Sequence, residues 1–102
     1  MLVVFTTVEN EKEANELAAK IVDQKLAACV QVLPPMTSYF FWKGRTEKAA
    51  EHLLLIKTLE ENFDALSAFI NSEHSYDVPE IVAVKAERVS EAYLDWMKET
   101  LT

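Results

Sequence analysis

Seven side chains in this sequence have the chemistry to bind or react: Cys29, Trp42, Glu51, His52, Lys57, His74 and Tyr76. A catalytic thiolate needs a base and a group that orients the base. His74 is the one plausible base for Cys29, and no third member is apparent in the sequence. Cys29 stands in an Ala-Ala-Cys-Val setting, which suits either a small core residue or a soft metal ligand. His74 lies in a polar loop, as a hydrogen-bonded histidine or as a ligand or proton switch. Lys57 follows four apolar residues, Leu53-Leu54-Leu55-Ile56. Its ammonium either snorkels to water or forms the cationic part of a pocket. In a regular strand Glu51 shares a face with Leu53, Leu55 and Lys57, and a carboxylate there calls for a partner. His52 points the other way, as an exposed or interface residue. Tyr76 and Trp42 serve either packing or a ligand platform.

These residues predict a cleft in which Trp42, Glu51, Lys57 and Tyr76 meet near a subunit boundary, with Cys29 close by. They also predict weak or accessory divalent-metal binding. His74 is the best single donor, Glu73 or Asp77 assists, and Cys29 is a candidate soft ligand. There is no C-x-x-C and no H-E-x-x-H. One glycine, Gly44, cannot build a phosphate-cradling loop. No obligatory cofactor is implied, and the expected function is binding and not catalysis.

The elements that must position these groups are legible from pattern. The chain has 102 residues, which is one domain, and half of them are apolar. A net charge of −7 disfavours nucleic acid and anionic membrane surfaces. No apolar run approaches the ~20 residues that span a bilayer. The start, MLVVFTTV, lacks a basic n-region and reads as a strand. A lone cysteine forms no internal disulfide, and a cytoplasmic location is expected.

Leu2–Phe5 reads as a strand buried on both faces. A helix follows from Asn10, capped by Asn10 with Glu13, with Ala14, Leu17, Ala18, Ile21 and Val22 on one face. A long hairpin runs from Leu26 to Thr58 and turns at Gly44. A second helix is expected from Thr58, which with Glu61 has capping-box spacing. Glu80–Ala86 is a last strand, and Ser90 caps a terminal helix. The order β-α-β-β-α-β plus a C-terminal helix is the α+β, ferredoxin-like arrangement with an antiparallel sheet.

The first hairpin arm, Ala28 to Trp42, is too long for so small a domain. Its Cys29–Trp42 stretch would reach roughly 45 Å at ~3.3 Å per residue, against a domain diameter near 35 Å. It must bend at Pro34-Pro35 or project. The aromatic run Tyr39-Phe40-Phe41-Trp42 presents rings on both faces of the projecting tip, which points to a partner chain.

Three motifs resemble the divalent-cation-tolerance (CutA) family across nearly the whole chain. They are Lys25-Leu26-Ala27-Ala28-Cys29-Val30; Ser38-Tyr39 through Trp42-x-Gly44 to Glu51-x-Leu53-Leu54-Leu55-Ile56-Lys57-Thr58; and His74-x-Tyr76-x-Val78-Pro79-Glu80-Ile81 followed by Tyr93-Leu94-x-Trp96. The resemblance implies a ferredoxin-like homotrimer whose hairpins reach across to neighbouring subunits. It also implies tolerance to copper and other divalent ions, no established reaction, and an architecture similar to PII signalling proteins. A sensor of small anions that signals to a protein partner is therefore the alternative function. Some members assign copper to a cysteine ending the first strand and to a His-His pair. The matching positions here are Thr6 and Glu73-His74. Most members have proline where this chain has Ser75.

Overall fold

β1, Leu2–Val8, sends alternate side chains to opposite faces: Leu2, Val4, Thr6 and Val8 are buried on one, while Val3 and Phe5 lie half-buried on the other. The computed structural model describes all residues 1–102. α1, Glu11–Asp23, follows at once. Its cap is the expected one, with Asn10 Oδ1 accepting from the Glu13 N–H at 2.8 Å. Ala14, Leu17 and Ile21 are its buried stripe and Ala18 is half-buried, but Val22, expected on the same face, is exposed, because it lies at the edge of the helix's apolar face.

The first hairpin arm is not one strand. It divides into β2, Cys29–Val32, and β3, Met36–Trp42. Both lie antiparallel along the same edge of the 14-residue β4, Arg45–Thr58. Val32 pairs with Leu54 and Met36 with Glu51. Leu33, Pro34 and Pro35 thus oppose only His52 and Leu53. That is a bulge of one extra residue, placed where two prolines lack the N–H a ladder requires. At the hairpin tip Lys43 and Gly44 both take positive φ, 49° and 83°. This is the two-residue turn whose twist suits a hairpin.

The second helix also departs from expectation. Thr58 does not cap it; Thr58 closes β4, and its hydroxyl donates to the Leu26 carbonyl at 2.8 Å. A short 3₁₀ turn, Glu60–Asn62, intervenes before α2, Phe63–Glu73. Then come β5, Val82–Lys85, and α3, Glu91–Leu101, whose Ser90 cap is the expected one.

The sheet order is β2-β4-β1-β5, all antiparallel, with β3 extending the β4 edge. This is the ferredoxin-like order. α1 and α2 cover one face through Val4, Val8, Ala14, Leu17, Ile21, Leu54, Ile56, Leu66 and Ile70, a single buried cluster. α3 makes a smaller cluster in which Met97 packs with Ala28 and Leu59. The β3–β4 ribbon is paired to nothing else, and the molecule measures 45 × 26 × 24 Å.

Candidate functional site

β4 carries or borders five of the six candidate binding residues, with His74 held against β1, and the six stand at three separate levels. At the tip, Trp42 pairs in register with Arg45 and is 57 % exposed. Six residues further along stands Glu51. Six further again stands Lys57. At ~3.3 Å per residue each interval is roughly 20 Å. Within one chain, then, Trp42, Glu51 and Lys57 do not form one cleft.

The middle level is the most ordered. The Tyr76 hydroxyl donates to Glu51 Oε2 at 2.8 Å. The Tyr76 backbone N–H donates to His74 Nδ1 at 3.0 Å, and the His74 and Tyr76 rings lie 4.7 Å apart. Since Nδ1 accepts, the ring proton is on Nε2, which donates to the Thr7 carbonyl at 2.7 Å. His74 thus fastens the loop after α2 to the end of β1, and Tyr76 satisfies a carboxylate that is only 8 % exposed. The phenol is held well above its ordinary range. Burial is the first cause, followed by the hydrogen bond to Glu51 and the charges of Glu51, Glu9 and Glu13. The assisting carboxylates are spread apart. Glu73 is ion-paired to Lys20 at 3.0 Å, and Asp77 is exposed.

At the base, Cys29 and Lys57 are register partners, so their side chains share a face. Val3 faces Lys57 from the other side. The Lys57 ammonium lies 5.8 Å from the Tyr93 ring of α3 and has no carboxylate partner. Cys29 is a half-buried free thiol. The level of Val3 is four residues along β1 from Thr7, the residue that His74 grips, which is roughly 13 Å. Cys29 and His74 therefore do not share a metal within a chain. Nowhere in the chain do three or more His, Cys, Asp or Glu side chains gather as a metal cluster. Both ring nitrogens of His74 are already engaged, so a metal there has to displace Thr7 or the Tyr76 N–H. Thr6, at the position matched to a copper-assigned cysteine, is fully buried, and its hydroxyl has no partner.

His52 differs from its expectation. It does point away from Glu51, but it is buried, because that face lies against α1. Its Nδ1 lies 2.9 Å from the Leu33 carbonyl at the bulge. Sequence reading missed this because the bulge that brings Leu33 to His52 is a property of strand pairing.

A family model described as "CutA1 divalent ion tolerance protein" matches residues 2–100. The divalent-cation tolerance protein CutA of Thermus thermophilus is 40 % identical over 97 residues, covering 95 % of this chain and 94 % of that protein. CutA 1 of rice, a chloroplastic protein, is 40 % identical over 99 residues, covering 97 % of this chain. The chain spans about half the length of such plant and animal relatives, 56 % of the rice protein and 53 % of human CutA. Among solved structures, a periplasmic CutA from Archaeoglobus fulgidus superposes with a TM-score of 0.96 at 35 % identity, covering 100 % of both chains. The Thermus thermophilus structure gives 0.96 at 39 %, again covering 100 % of both. The family is named for tolerance and not for a reaction. With the motif residues placed on a shared fold from end to end, the chain belongs to the CutA1 divalent ion tolerance family.

Proposed function

We propose that this protein serves divalent-cation tolerance by binding and not by catalysis, as a cytoplasmic homotrimer with its ligand cleft between subunits. The observation that carries this reading is the hairpin tip. Tyr39, Phe41 and Trp42 are 70, 73 and 57 % exposed on a ribbon that extends past the sheet. Large rings so placed gain from burial only against another molecule. A neighbouring copy's hairpin also supplies what one chain lacks, a means of bringing Trp42 to the Glu51–Tyr76 level. Copper or another divalent ion binds weakly at the cleft, because any metal on His74 competes with the hydrogen bonds to Thr7 and Tyr76. The unpaired Cys29 supports a reducing compartment.

The test is growth of cells deleted for this gene in graded copper. The deletion lowers the tolerated concentration, and the wild-type gene on a plasmid restores it. Equal growth of deleted and complemented cells at every copper concentration overturns the tolerance reading.

A second reading rests on Lys57, an ammonium without a carboxylate partner beside the Tyr93 ring. It suits a small anion, as in a PII-like sensor. Thermal-shift screening separates the two, since metals raise the melting temperature under the first reading and anionic metabolites under the second.

A further inference from the structure

A cleft lies on the opposite side of β4 from Glu51 and Lys57. It measures about 360 Å³, between the first turns of α1 and the Pro34-Pro35 bulge, and His52, Glu11 and Asn15 supply its side-chain polar atoms. His52 is only 8 % exposed. A carbonyl oxygen can only accept, so the 2.9 Å contact with Leu33 places the ring proton on Nδ1. Nε2 then carries the lone pair. It has no hydrogen-bond partner, yet the only fully enclosed side-chain polar atom without one is Thr6 Oγ1. Nε2 therefore keeps access to solvent, and the cleft is the opening that His52 lines. This is the arrangement that prepares a metal-binding histidine, with one ring N–H held by a backbone carbonyl and the other nitrogen bare.

The rest of the lining is consistent with a cation. The Glu11 carboxylate makes no ion pair. Asn15 Nδ2 donates to the Glu11 carbonyl at 2.9 Å, which leaves Asn15 Oδ1 free. Competing donors are few on the bulge side: Pro34 and Pro35 have no N–H, and the Leu33 N–H is committed to the Leu53 carbonyl at 2.9 Å. No lysine or arginine lines the cleft.

We propose that this cleft binds a borderline divalent transition-metal ion of the Zn²⁺ or Cu²⁺ class, through His52 Nε2 and the Glu11 carboxylate, with Asn15 Oδ1 and water completing the shell. Imidazole nitrogen with carboxylate and amide oxygen suits these ions better than Mg²⁺ or Ca²⁺. All the donors come from one chain, so the site stands apart from the subunit cleft proposed above and survives if that reading fails. Two strong donors make it a site of modest affinity.

Zn²⁺ is the probe, used on tag-free full-length protein. Imidazole ¹⁵N spectra on the wild type should show His52 Nε2 shifting on addition of Zn²⁺ at lower concentration than any shift of the His74 nitrogens. Calorimetry should give one Zn²⁺ per chain, weakened by roughly tenfold or more in His52→Gln. Glu11→Gln, at an exposed helix position, should leave the far-UV circular dichroism unchanged and weaken binding too, whereas Cys29→Ala should not weaken it. Three results each overturn the proposal: no binding at millimolar Zn²⁺, shifts at His74 in place of His52, or binding that is unchanged in both Glu11→Gln and His52→Gln.

Discussion

Tyr76 shows how one side chain sets the chemistry of its neighbours. Its hydroxyl is the only hydrogen-bond donor that the Glu51 side chain receives within the chain, and its own N–H decides which nitrogen of His74 carries the proton. Tyr76→Phe keeps the ring and removes the donor. It should cost about 1–3 kcal/mol at neutral pH, because Glu51 is left buried without its partner. Alkaline pH gives a second signature. The ordinary phenol pKa is 10.0, and the folded value is raised above it by burial and by Glu51. The unfolded chain therefore ionises first. This contribution to stability is complete below about pH 10 and is lost as pH rises through the folded pKa. Wild-type protein should lose melting temperature above pH 10 more steeply than Tyr76→Phe, and the difference between the two curves isolates Tyr76 from the lysines. Parallel curves would show that the phenol is not held in its neutral form.

The β3–β4 hairpin is the element on which the molecule's shape depends, and its turn is the simplest part to test. Gly44 adopts φ +83°, and a Cβ added there would meet nothing within 4 Å. Gly44→Ala should therefore destabilise through backbone conformation alone, by about 1 kcal/mol. Lys43 also sits at positive φ, 49°, where asparagine is better tolerated. Lys43→Asn should raise the melting temperature while Gly44→Ala lowers it. If both variants move it the same way, the turn is not of the two-residue type with positive φ at both centres. The bulge at Leu33-Pro34-Pro35 matters in the same way. By adding one residue to one arm it changes which side chains of β3 share a face with those of β2, and it opens the cleft beside His52.

At the scale of the whole molecule, apolar surface is distributed unevenly. α1 and α2 close one face of the sheet, while Val82, Val84 and the aromatic tip stay open to solvent, Val82 and Val84 at 50 and 51 %. Light scattering on the purified chain should give the mass of three copies at micromolar concentration. Trp42→Ala should shift the protein toward smaller species while far-UV circular dichroism is retained. Large rings at the centre of an interface commonly contribute ~2 kcal/mol or more each. A wild-type monomer at micromolar concentration would contradict the trimer, and wild-type assembly of Trp42→Ala would remove the tip as its anchor.

Much of this was legible in the residue order. The stripe of α1 at Ala14, Leu17 and Ile21, the Asn10 and Ser90 caps and the Gly44 turn are local, and local spacing specifies them. The strand order followed from counting elements. The shared face of Glu51 and Lys57 followed from the period of two. Thr58 misled because capping-box spacing also occurs at a strand end, and its hydroxyl found the Leu26 carbonyl 32 residues away. What only the tertiary structure decided are pairings between distant segments. The prolines announced a bend, but the pairing of Val32 with Leu54 and Met36 with Glu51 set the bulge. His74 and Thr7 are 67 residues apart, and Tyr76 and Glu51 are 25 apart. Their meeting depends on α2 delivering its following loop to the end of β1. The burial of His52 depends in turn on which face α1 covers. Periodicity says which side chains lie together on an element; packing alone says what that side will meet.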